Sequence, residues 1–175
     1  MIRTLHSSCT LNGILYVFGG FNRPDGWLNS IESLDARRHL RNVSSADVVE
    51  WMLFELKLTG SNEVISGRSN ALMAPISSHE ILIMGGYNSQ PFVPNFVIDV
   101  EKWTSEYFIS NQDNNVLTSC NQCKTVVDGK VVGLVENAKH EVYILSVTKN
   151  TAQAAQSSTK FSCAVLSKPE LWIPS

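Results

Sequence analysis

Two short apolar runs stand out against an otherwise mixed chain. Ile14-Leu-Tyr-Val-Phe18 stops on Gly19-Gly20, and Ile81-Leu-Ile-Met84 stops on Gly85-Gly86. Their length and their β-branched or aromatic content suit a buried strand rather than a helix. Each ends on two residues without a Cβ, which permits a sharp exit or a close backbone approach.

The flanking sequence repeats as well. Arg3 and the Asn12-Gly13 turn precede the first run; Arg68 and the polar turn Ser77-Ser-His-Glu80 precede the second. Loops rich in Asn, Pro and aromatics follow the glycines at 21–29 and 87–95. A further strand then nears its end at Asp35 or Asp99, and a tryptophan, Trp51 or Trp103, opens a fourth. The tryptophans lie closer together than the glycines do, because residues 36–50 are an insertion in the first copy. Landmarks in one order, with one insertion accounting for the offset, predict a structural repeat.

A third, weaker copy follows. Lys124-Thr-Val-Val127, the turn Asp128-Gly129 and Lys130-Val-Val-Gly-Leu-Val135 predict a hairpin. His140-Glu-Val-Tyr-Ile-Leu-Ser-Val147 and Phe161-Ser-Cys-Ala-Val-Leu166 add two strands, while Thr148 to Lys160 reads as a polar loop. The expected organisation is a first unit over 1–58, a second over 59–110, a degenerate third over 111–166 and a tail over 167–175.

The set Arg3, Asn12-Gly13, Gly19-Gly20, Asp35, Trp51 and the set Arg68, Gly85-Gly86, Asp99, Trp103 resemble the kelch repeat of β-propellers. Leu34 and Ile98 stand where that family usually carries a Tyr before the Asp, and the third unit departs further. The resemblance implies an all-β fold, a partial kelch-like β-propeller of about three four-stranded antiparallel blades. Such a blade has two apolar faces that it cannot bury alone, so blades stack about an axis. The two tryptophans are expected at equivalent outer-strand positions in the blade interfaces. Rings close with about four blades or more. Missing blades or self-association are therefore expected to complete this one, and the start at Met1-Ile2, just ahead of the first motif, points to a fragment.

Composition narrows the partners. The 175 residues are 43% hydrophobic and 17% charged with a net charge of −2, which suits a folded domain. There is no basic stripe for nucleic acid, and Arg37-Arg38-His39-Leu40-Arg41 reads as a solvated insertion. No apolar run approaches the ~20 residues of a membrane span, and no signal peptide is evident. Four cysteines are few for a disulfide-built fold, so a cytoplasmic location is expected. Within the insertion, Ser44 or Ser45 could cap a short helix, and Asn42-Val-Ser44 matches a glycosylation triplet.

Catalytic chemistry is hard to assemble. Cys120-Asn-Gln-Cys123 has a zinc or redox spacing, but further ligands lie far off and a strand-to-helix context is lacking, so ordinary reduced cysteines are expected. His6, His39, His79 and His140 form no ligand spacing, and neither glycine pair is followed by a phosphate-loop Lys-Ser or Lys-Thr. No cofactor and no metal are expected. One alternative is a fragment without independent function; the other, a propeller enzyme of the oxidase or sugar-epimerase class, would need converging His, Tyr or Cys ligands.

The expected function is a non-enzymatic protein-interaction module. The resemblance implies a binding face at the glycine-pair loops and a role in an adaptor or scaffold, for example a ubiquitin-ligase substrate receptor. Arg3, Phe21, Trp27, Arg68, Tyr87 and Phe92 are the expected contact residues for an acidic or extended peptide. For Arg3 and Arg68 a purely structural role, fixing the loop between blades, stands beside the binding role.

Overall fold

A computed structural model of the chain describes residues 2–37, 50–56, 64–90, 94–108, 119–127, 130–136, 142–150 and 160–167. These residues form antiparallel sheets. The first sheet has the order β1 (Ser7–Leu11), β2 (Ile14–Phe18), β5 (Ser30–Asp35), β6 (Met52–Glu55), with a small hairpin of β3 (Phe21–Asn22) and β4 (Gly26–Trp27) between β2 and β5. The second runs β7 (Leu72–Pro75), β8 (Glu80–Met84), β9 (Asn95–Asp99), β10 (Thr104–Phe108). The third runs β11 (Ser119–Val127), β12 (Lys130–Glu136), β13 (Val142–Asn150), β14 (Lys160–Ser167). Each is a four-stranded meander of the propeller-blade type. The first strands of successive sheets are neighbours, with β7 next to both β1 and β11.

The apolar pattern explains the stacking. In β8 every residue from Ile81 to Met84 is buried, because the second sheet is covered on both sides. One face, with Met73, Ile81, Ile83, Phe96 and Ile98, packs against Tyr16, Phe18 and Ile31 of the first sheet. Phe18 meets Phe96 edge to face at 5.5 Å, and Trp103 stacks on Phe54 with ring centroids 3.5 Å apart. The other face buries Leu72, Ala74, Leu82, Met84 and Val97.

Register corrects the tryptophan expectation. Asp35 opposite Ile14 and Asp99 opposite Glu80 hold the same place in their sheets. Yet β6 starts with Met52 opposite Ser33, whereas β10 starts with Thr104 opposite Asp99. Trp51 and Trp103 each stand one residue ahead of their strand, but at different registers. The tight turn at 100–103 returns the chain at once and, with Trp103 at φ 54°, aims that ring at the first sheet. The longer insertion delivers Trp51 to a site where it is 42% exposed.

The third sheet also differs from expectation. Cys120 and Cys123 lie within β11, across a register shift between Cys120 and Lys124, and not ahead of the first strand. Thr148 to Asn150 and Lys160 belong to β13 and β14, since cross-strand pairing extends past the apolar core of each strand. The helix and glycosylation triplet expected around residues 42–47 lie outside the described residues.

Candidate interaction face

The lead-ins to the first two sheets are superimposable in their bonding. Thr4 exchanges two backbone hydrogen bonds with Phe21, and Ser69 exchanges two with Tyr87. The residues that follow, Leu5 and Asn70, both take positive φ, at 56° and 54°. Asn tolerates that conformation readily; a leucine there is held by its surroundings. The arginine ahead of each bridge donates from Nη1 to the first glycine of its own pair, Arg3 to Gly19 O at 3.0 Å and Arg68 to Gly85 O at 3.3 Å.

Beyond that shared bond the two arginines part. Arg3 Nη2 forms an ion pair with Glu32 and reaches Ser30 Oγ at 3.4 Å; the two charged side chains are only 5% and 14% exposed. Glu32 lies opposite Val17, and the residue opposite the matching Ile83 is Phe96. Accordingly Arg68 lies over the Phe96 ring, 5.1 Å from its centroid, with no carboxylate partner among the described residues. It donates to Pro94 O at 2.6 Å and from Nε to Ser66 O at 3.4 Å, while Nη2 finds no partner among the described residues. Burial pushes its pKa down to about 10 against a small opposing effect from Tyr107.

This placement corrects the expected contact set. Arg68 is 0% exposed and cannot reach a partner on the surface. It ties the lead-in to the glycine turn, which is the structural alternative weighed from the sequence. Arg3 is engaged by Glu32.

The aromatics behave differently. The turn closing β3 onto β4 is fixed by Asn22, which donates to Asp25 Oδ2 at 2.8 Å and accepts the Asp25 N–H at 2.7 Å. This hairpin sets Phe21 against Trp27, edge to face at 5.6 Å. Trp27 in turn meets Tyr87 of the second sheet at 5.8 Å. Three expected contact residues thus form one row across two sheets, with Tyr87 59% exposed at its end. Beside it opens a cavity of about 610 Å³ lined by Ile2, Arg3, Thr4 and the hairpin residues Phe21, Asn22, Arg23, Pro24 and Asp25. Phe92 lies outside the described residues.

The repeated loop geometry, the arginine-to-glycine bond and the four-strand meander converge on one motif. Residues 2–41 match the kelch motif. The matched kelch segment takes in Arg3, the glycine pair, the β3–β4 hairpin and Asp35, and the second sheet repeats its arginine, bridge and glycine placement outside the match. The motif marks a propeller-type repeat module, commonly one that mediates protein interactions. No curated protein matches the chain. Among the described residues no group of three or more His, Cys, Asp or Glu could hold a metal, and no helix is long and apolar enough to cross a membrane.

Sequence reasoning missed two features. Glu32 was not singled out as the partner of Arg3, since only the register across β2 and β5 brings them together. The Trp27–Tyr87 contact joins loops of different sheets and has no local signal at all.

Proposed function

We propose that the chain is a non-enzymatic protein-interaction module, the kelch-type segment of a cytoplasmic adaptor or scaffold such as a ubiquitin-ligase substrate receptor. Its ligand is an extended peptide of a partner protein, laid across Phe21, Trp27 and Tyr87. The observation that carries this reading is the edge-to-face row of those rings, running over two sheets and ending in an exposed tyrosine. Aromatic rings bury large areas at small entropic cost, which is why they anchor interfaces. With Arg3 paired and Arg68 enclosed, recognition falls to the rings, and the exposed Arg23 lining that cavity offers the charge for an acidic residue in the peptide.

Selection of binders from a random displayed-peptide library tests this. The best binder is expected to lose roughly tenfold or more in affinity on Tyr87→Ala and to keep it on Tyr87→Phe, as measured by fluorescence anisotropy. Binders indifferent to both Tyr87→Ala and Arg23→Ala would place recognition on another face.

A further inference from the structure

The seam between the first and second sheets shows how one sheet of this chain receives another. Gly20 N–H donates to Arg68 O at 2.8 Å, Arg68 N–H to Leu28 O at 3.1 Å, and Asn70 N–H to Leu5 O at 2.9 Å. On the second sheet the groups used are therefore the backbone of Arg68 and Asn70. Their equivalents on the first sheet are Arg3 and Leu5, matched by the bridges at Thr4 and Ser69. Among the described residues, neither the N–H and C=O of Arg3 nor the N–H of Leu5 makes a hydrogen bond. The same three attachment points stand open on the first sheet.

The side chains follow the same equivalence. Ile81, Ile83, Phe96 and Ile98 are 0% exposed under the first sheet. By register their counterparts are Leu15, Val17, Glu32 and Leu34, with Leu53 in the place of Tyr107. Around them Ile2, Trp51 and Leu53 are exposed, Leu53 to 59%. A cavity of about 550 Å³ opens here, lined by Ile2, Arg3, His6, Val17, Glu32, Trp51 and Leu53. The Arg3–Glu32 pair on this face is hydrogen-bonded inside its own sheet, so covering it strands no lone charge.

We propose that this face is covered by the third sheet of a second copy of the chain, and reciprocally, so that two copies close one six-sheet ring. The open backbone groups are those an incoming sheet of the same kind uses at the internal seam, which identifies the occupant as another such sheet. The third sheet is the one at the far end of the run, packed beside β7 through β11 and β12. The three four-stranded sheets of the described residues fall short of the roughly four needed to close a ring, while six lies within the usual range of about four to eight. Two identical contacts related by a two-fold axis leave no open end. The proposal does not rest on the peptide-binding reading.

Sedimentation equilibrium of the 175-residue chain tests it. The expected species has twice the 19.4 kDa chain mass and falls to a folded monomer on Leu53→Glu. Tyr87→Ala, on the loop face, is expected to leave the dimer intact. If Leu53→Glu proves unfolded by circular dichroism, Trp51→Gln, outside β6, supplies the same readout. A monomer at all concentrations, an open-ended series of larger species, a dimer untouched by the folded Leu53 or Trp51 variant, or one lost on Tyr87→Ala overturns the proposal. The last outcome would assign self-association to the loop face.

Discussion

Arg3 and Arg68 show how one residue type at one repeat position can meet two environments. Both hold the carbonyl of a glycine turn, but one cation is neutralised by Glu32 and the other faces a ring and carbonyl oxygens. A guanidinium without a carboxylate is costly to bury, and the fall of its pKa to about 10 records that cost. Removing the side chain is costlier still, since it leaves a cavity and three carbonyls, Ser66 O, Gly85 O and Pro94 O, without their donor. Arg68→Ala is expected to destabilise the fold by about 3 kcal/mol or more, read from urea unfolding. An unchanged midpoint would show that the arginine does not hold the lead-in.

At the scale of an element, the turn from β9 to β10 depends on Asp99. Its Oδ1 accepts the N–H groups of Glu101 and Lys102, each at 3.0 Å, and its Oδ2 accepts from Lys102 Nζ at 2.9 Å. Burial pushes the carboxyl upward, but the bonds from Lys102 and from the two N–H groups outweigh it and leave the pKa below its ordinary value. A carboxyl with a folded pKa below its unfolded one stabilises the fold above the unfolded value and loses that contribution as pH falls through the folded value. Thermal melts of Asp99→Asn should therefore decline less steeply than wild type between about pH 5 and pH 2. Parallel acid limbs would assign the turn's stability to its backbone alone. Asp35 at the equivalent place also accepts a backbone N–H, from Arg37 at 3.1 Å, before the longer insertion.

For the molecule as a whole, the seams between sheets set the stability, and glycine makes the first seam possible. Gly19 has φ +65°, and a Cβ there would sit 2.3 Å from the backbone oxygen of Arg68. Gly26 also has positive φ, at +76°, but a Cβ added to it would meet nothing within 4 Å. The pair separates conformational strain from inter-sheet clash. Gly26→Ala is expected to cost about 1 kcal/mol, the usual price of a left-handed residue. Gly19→Ala should exceed it by about 2 kcal/mol or more, because the backbone it meets cannot rotate away. Equal losses in denaturant unfolding would mean that the seam yields at little cost.

The sequence by itself determined the strands, their grouping into repeats and the tight turns, because short apolar runs and missing Cβ atoms are local signals. It marked Gly19-Gly20 and Gly85-Gly86 as turns, and it brought Phe21, Trp27 and Tyr87 into one candidate set. Tertiary structure decided what each group faces. Whether Arg68 is a surface handle or an enclosed strut depends on Phe96, Pro94 and Gly85, which reach it only through folding. Whether Trp51 and Trp103 match depends on where an insertion and a four-residue return deliver the outer strand, which no spacing of tryptophans encodes. Inter-sheet contacts join residues distant in sequence, and their geometry is set by stacking, so a chain can announce its blades while leaving the chemistry of their seams to the fold.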